Sequence, residues 1–292
     1  MARVRHLVFA AAAAAVTAPL SAQAPTSIVN ILPPSARSAA LAGASVALVG
    51  DAGSVFINPS GMATIKVLSV EGLYSPMPQD VTLWQGAAAF RAGQFNLGAG
   101  AAYLLLPDTS GYADNVTWVG AADYRYGLLA LGASGRYVSV TDTSGQVNRS
   151  FTTGAGFTVA VFDIMALAVS VQNIGNQNLS GLGVALPTST HLGYTLNFVD
   201  PQGTARLLGT IEWVWTEGQS TRFLVGVEGG AVVSGVGVVL RTGYGPPPLG
   251  SEGSRWTVGG GLVLGRLGLD YAYQAQNLFG KAVHTFGLRL TP

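Results

Sequence analysis

From about residue 65 to the end, the chain alternates large apolar residues with small or polar ones. The stretch from Trp256 to Tyr273 shows the pattern best. Trp256, Val258, Gly260, Leu262 and Leu264 share one face of an extended chain, and Thr257, Gly259, Gly261 and Val263 share the other. After Gly265 and Arg266 the alternation resumes, with Leu267, Leu269, Tyr271 and Tyr273 opposite Gly268, Asp270, Ala272 and Gln274. One face is greasy and the other small or wet, as a strand needs when lipid lies on one side and a crowded lumen on the other. The period predicts an all-β fold, a transmembrane antiparallel β-barrel of about 14 strands.

The predicted strands run near 65–74, 82–91, 94–105, 115–126, 128–140, 150–162, 164–174, 188–198, 205–216, 221–231, 235–244, 255–264, 267–276 and 282–290. Each is close to the roughly 9–11 residues that cross a bilayer at a tilt. Their connections sort by parity. Those at 92–93, 127, 163, 200–203, 232–234 and 265–266 are short, whereas those at 75–80, 107–114, 141–149, 175–187 and 245–254 are longer and more polar. Tight turns on one rim and larger loops on the other put the large loops outside the cell and both termini on the periplasmic side. Tyr103, Trp118, Tyr124, Tyr137, Tyr194, Phe198, Trp213, Trp215, Tyr244, Trp256, Tyr271 and Tyr273 point outward near strand ends, as interfacial girdles do. A soluble sandwich would instead need charged outer faces.

Composition narrows the choice. Charged residues are 10% of the 292 and hydrophobic ones 49%, against roughly 25% charged in ordinary soluble domains. Mean hydropathy is +0.39, yet no apolar run approaches the roughly 18 residues of a membrane helix. A net charge of +1 argues against nucleic acid as a partner. Cysteine is absent, which excludes disulfides, thiolate metal sites and a lipid-modified cysteine.

Residues 1–24 read as a secretory signal: Arg3, Arg5 and His6 begin it, an apolar core follows, and Pro19 precedes a small-residue stretch. Export to an outer membrane is the expected localisation. Residues 25–64 differ from both flanks, being rich in Ala and Gly and ending in a turn at Asn58, Pro59, Ser60 and Gly61. Pro59 fixes its own φ and biases Asn58 toward extended backbone, while Gly61 is free to take positive φ. Two readings stand side by side here: a hatch folded into the lumen, or a leader strand with an ordinary Asn-Pro turn. Residues 65–292 form the barrel.

Inward positions carry the few charges of the strands: Asp123, Arg136, Glu212, Arg222, Glu228, Arg241, Asp270 and Arg289, with His191 in phase with them. Pairing Glu228 with Arg241, and bringing Arg222 toward Glu212, would limit the cost of charge in a half-dry lumen. Most other inward residues are small, so a barrel this wide leaves space that residues 25–64 suit. Enzyme chemistry is not expected. No Ser-His-Asp or metal-ligand spacing recurs near His191 or His284, and no phosphate-binding loop leads into a helix. No cofactor and no metal are implied.

The stretch 36–63 resembles the N-terminal signature of PorV/PorQ-type proteins of the FadL-like outer-membrane superfamily. Arg37, Gly43, Asp51, Asn58, Pro59 and Gly61 carry that resemblance. Segments 168–175, 240–244, 258–262 and 269–273 match further along. Ser60 departs from the usual Ala, and Ala42-Gly43-Ala44 stands where Met-Gly-Gly is common. The resemblance implies a fourteen-stranded barrel with a lumenal hatch. It implies either an accessory barrel that binds secretion subunits or exported proteins, or a passive channel for hydrophobic small molecules. The sequence reading favours the first and keeps the second as its alternative.

Overall fold

The computed structural model describes residues 32–106, 115–141, 145–161, 164–180, 184, 186–199, 204–246, 254–275 and 281–291. The expected signal at 1–24 lies outside them. Fourteen antiparallel strands close into one barrel. They are β1 (Leu68–Pro76), β2 (Thr82–Ala92), β3 (Phe95–Leu105), β4 (Asn115–Tyr126), β5 (Leu129–Thr141), β6 (Val147–Val161) and β7 (Met165–Asn178). β8 (Ser189–Asn197), β9 (Ala205–Thr216), β10 (Arg222–Val233), β11 (Val236–Tyr244), β12 (Trp256–Leu264), β13 (Leu267–Gln274) and β14 (Val283–Leu290) complete it. Each strand pairs with its sequence neighbours, and β1 closes on β14 from Val70–Leu290 to Tyr74–Phe286. Closure matters because an open edge in lipid would leave backbone groups without partners.

The two faces follow the period-two pattern. On β2, Leu83, Gln85, Ala87 and Ala89 are buried, while Trp84 and Phe90 are about half exposed on the outer wall. Aromatic rings meet across strands on that wall: Tyr74 with Trp84 at 4.5 Å, Trp213 with Phe223 at 4.9 Å, and Tyr244 with Trp256 at 4.9 Å. Such pairs pin strand register as well as covering area. Among the described residues no helix is long and apolar enough to cross a membrane.

Two departures from simple alternation are informative. β1 starts at Leu68, and Ile65 instead packs with Val55, Met62, Ala89 and Val119 inside the barrel. β7 continues past the expected end at residue 174 to Asn178. It does so through two one-residue bulges, where the partners step from Ala155–Val171 to Thr153–Ile174 and then to Phe151–Gln177. Asn173 and Gly175 take positive φ there, 59° and 64°. A bulge breaks the period that marks a strand, which is why the sequence reads as loop. Gln172 and Asn173 are consequently both buried.

Residues 32–65 lie within the barrel. A short helix, α1 (Ala36–Ala40), is capped by Ser35, whose side chain accepts from the Ser38 amide. Two 3₁₀ turns follow, Ala52–Phe56 and Pro59–Thr64. Ala40, Leu41, Ala44, Val46, Ala52, Val55 and Met62 are almost completely buried. This segment therefore forms a core with the inner wall, not a further strand.

Candidate functional site

Small inward residues of the wall are the seat of this segment. A Cβ added at Gly287 on β14 would meet Ala36, at Gly259 on β12 Ala40, and at Gly226 on β10 Leu41. Further round, Gly243 lies against Leu41 and Ala42, Gly193 against Val46, and Gly132 and Gly156 against Asn58, Pro59 and Ser60. From the sequence, small inward residues imply only that the bore leaves space. In the structure they let backbone and plug touch over most of the circumference.

The turn at Asn58 fastens one side with neutral bonds. Asn58 Nδ2 donates to Val46 O at 2.8 Å and to Thr158 Oγ1 at 3.1 Å, and its Oδ1 accepts from the Ser60 amide at 3.1 Å. Ser60 Oγ lies 2.7 Å from Thr158 Oγ1 on β6. Pro59 begins the second 3₁₀ turn, where its missing N–H costs nothing. Gly61 does not take positive φ; a Cβ added there would instead come within 3.1 Å of Ser54, in a right-handed turn. Nearby, the carbonyls of Phe56 and Ile57 accept from Arg136 at 2.5 Å and from Ser170 and Gln172 at 2.6 Å.

The other side is fastened by charge. Arg37 bonds Asp51 at 2.7 Å and Glu228 at 2.8 Å; Glu228 bonds Arg241 at 2.6 Å; Arg241 bonds Asp270 at 2.6 Å. Arg289 closes the ring, 3.9 Å from Asp270 and 3.0 Å from Asp51. Arg206 adds a further contact to Glu228. Glu228 and Arg241, expected to pair, do so across β10 and β11. Sequence reading missed Arg37 and Asp51 as members. Their signal was present as the single arginine and single acid of an Ala/Gly-rich stretch. Burial pushes the Asp51 carboxyl up, but Arg37 and Arg289 overrule it and hold the group at about 2. Arg37 is held well above its ordinary range: burial opposes its charge, and Glu228 and Asp51 outweigh burial.

Not every expected lumen charge joins this ring. Asp123 sits apart on β4 and accepts from Asn96 Nδ2 at 2.8 Å. Arg222 donates to the Pro246 carbonyl at 3.2 Å and forms no ion pair with Glu212 among the described contacts within 4 Å. Glu212 stands across from Leu224, two residues along β10 from Arg222, and its oxygens are taken by other groups. One accepts from the Ser45 and Val46 amides at 2.7 and 2.8 Å, the other meets His191 Nδ1 at 2.7 Å. Arg136 faces the plug and also donates to Asn173 Oδ1 at 3.2 Å. Among the described residues no group of three or more His, Asp and Glu is placed to hold a metal.

Cavities lie on both sides of the plug. One of about 80 Å³, toward the long-loop rim, is lined by Phe56, Arg136, Gln172, Ser189 and His191 among others. One of about 330 Å³, toward the short-turn rim, is lined by Arg37, Asp51, Ile164, Asn197, Arg206 and Arg289 among others.

Comparison with known proteins locates this architecture. No family model matches the sequence, and no curated protein does. Solved structures do match in fold. The toluene transporter TbuX of Ralstonia pickettii superposes with a TM-score of 0.59 at 11% identity, over 90% of this chain and 99% of that one. The monoaromatic hydrocarbon channel CymD gives 0.61 at 11% identity, over 90% and 98%. A FadL homologue of Pseudomonas aeruginosa gives 0.54 at 12% identity, over 88% and 98%. At such identities the likeness is one of fold.

Proposed function

We propose that this protein is an outer-membrane channel for hydrophobic small molecules. The observation that carries the reading is the plug: residues 32–65 sit inside a closed barrel, with cavities on both faces and fastenings of two different kinds. The fold-level likeness spans nearly the whole of this chain and of chains described as toluene transporters and monoaromatic hydrocarbon channels, which supports the same direction. In this reading the long-loop rim faces outward, a small apolar compound enters there, and it passes once the plug yields on its neutral side. Hydrogen bonds between uncharged groups at Asn58 and Thr158 are each worth about 1 kcal/mol. Breaking one buried ion pair of the ring costs about 3–5 kcal/mol. The turn at Asn58 therefore gives way before the ionic ring. Passage needs no catalysis.

A second reading, an accessory barrel that holds secretion subunits or exported proteins, draws on the motif resemblance at 36–63. Pull-down in mild detergent tests it directly: it requires stoichiometric recovery of such partners, and a lone barrel sinks it.

The channel is tested by locking the turn. The chain has no cysteine, so Ser60→Cys with Thr158→Cys provides one defined thiol pair where the hydroxyls stand 2.7 Å apart. In liposomes, uptake of labelled toluene by the oxidised double variant is expected to fall at least about tenfold and to return on reduction. Equal uptake in both states, with the disulfide verified, would refute passage at this turn. Failure of the unmodified barrel to take up toluene or a longer hydrophobic probe above a lipid-only control would refute the channel.

A further inference from the structure

Ser189, His191 and Glu212 form an arrangement that passive transport does not require. Ser189 and His191 are two residues apart on β8, so both side chains enter the lumen. Glu212 projects from β9, one diagonal step away, since it stands across from Gly193 while His191 stands across from Val214. His191 Nδ1 lies 2.7 Å from Glu212 Oε1, and His191 Nε2 lies 3.1 Å from Ser189 Oγ. With the carboxylate ionised and the imidazole neutral, Nδ1–H donates to Glu212 and Nε2 is left to accept from the Ser189 hydroxyl. Glu212 is itself fixed by the Ser45 and Val46 amides. A nucleophile, a base and an oriented acid thus stand in series, the geometry by which a serine is activated. Ser189 and His191 line the cavity of about 80 Å³ toward the long-loop rim.

We propose that this is an acyl-transfer site that hydrolyses small carboxylic esters entering the lumen. Ser189 is the nucleophile, His191 the general base and acid, and Glu212 a positioning residue. Ser189 Oγ bonds to the ester carbonyl carbon while its proton passes to His191 Nε2. The bond from that carbon to the alkoxy oxygen then breaks, and the alcohol leaves with the proton. Water adds to the acyl carbon, its proton passes through His191 to Ser189 Oγ as the acyl bond breaks, and the carboxylic acid leaves. Arg136 lines the same cavity, so its wall carries charge of the sign a tetrahedral oxygen requires. The small cavity selects a short acyl group.

Folded protein in detergent, treated with a fluorophosphonate and mapped by peptide mass spectrometry, tests the site. The expected result is one adduct, on Ser189, with hydrolysis of p-nitrophenyl acetate above the detergent blank. Ser189→Ala abolishes both, and His191→Gln lowers both by about 100-fold or more. Ser150→Ala, which removes another buried lumen hydroxyl (it donates to Val184 O), changes neither. Glu212→Gln lowers kcat with little change in KM, and Glu212→Asp recovers part of that loss. No adduct on Ser189 in the unmodified protein overturns the assignment, as does equal hydrolysis by Ser189→Ala. If a variant does not fold, the adduct map of the unmodified protein decides alone. The readout involves no transport across a bilayer, so it fails or succeeds independently of the channel.

Discussion

Single residues decide how tightly the plug is held. Gly156 abuts Asn58, Ser60 and Pro59 so closely that a methyl group has no room. Gly156→Ala is therefore expected to cost about 1–3 kcal/mol of plug docking. Limited proteolysis should show it, as faster cleavage within residues 32–65 of an otherwise intact barrel. Gly229, on the outer face of β10, has nothing within 4 Å of an added Cβ, so Gly229→Ala should leave the cleavage rate unchanged. Asp51 links docking to pH. Its folded value of about 2 lies below the ordinary 3.8, so it stabilises docking fully above pH about 4, and that contribution disappears as pH falls through 2. Roughly 2 kcal/mol rides on this shift. Asp51→Asn should release the plug to a similar extent at pH 7 and remove most of the acid sensitivity in the same proteolysis assay.

At the scale of elements, β7 departs furthest from its own sequence pattern. Its bulges turn two consecutive residues inward, and Gln172 then reaches Ile57 O while Asn173 takes φ 59°. Asn tolerates that left-handed backbone, whereas a β-branched residue does not. Asn173→Val should lower the urea midpoint of unfolding by the equivalent of about 1–3 kcal/mol, with Asn173→Gly costing less. If the valine variant proves as stable as the parent, the bulge is not held by this residue. Period two can announce thirteen ordinary strands but marks a bulged one as ending too soon, because the extra residue inverts the phase that announces it.

Across the whole molecule, the ring of Arg37, Glu228, Arg241, Asp270, Arg289 and Asp51 ties the N-terminal segment to β10, β11, β13 and β14. Glu228 is 1% exposed and faces three guanidinium groups. Glu228→Gln removes the carboxylate that these three guanidinium groups share, while Arg37 keeps Asp51 and Arg241 keeps Asp270, and a loss of about 3–5 kcal/mol is expected. Restoring neutrality with Arg241→Gln should return part of it in a double-mutant cycle of urea unfolding. Additive losses would show that the pair is not coupled.

The alternation of side chains determined the strands, their outward and lumen-facing sides, and the inward position of Glu228, Arg241 and Asp270. Those features are set by local backbone geometry, which repeats every two residues wherever the strand lies in the fold. The partners of these charges were another matter. Arg37 and Glu228 are 191 positions apart, Thr158 and Asn58 100, and nothing in local periodicity relates such positions. Glu212 meeting His191 and not Arg222, and wall glycines serving as a seat, depend on strand register and on how residues 32–65 pack within the closed cylinder. Only the tertiary structure fixes these, because contact in a barrel follows from closure and register, and both are properties of the whole chain.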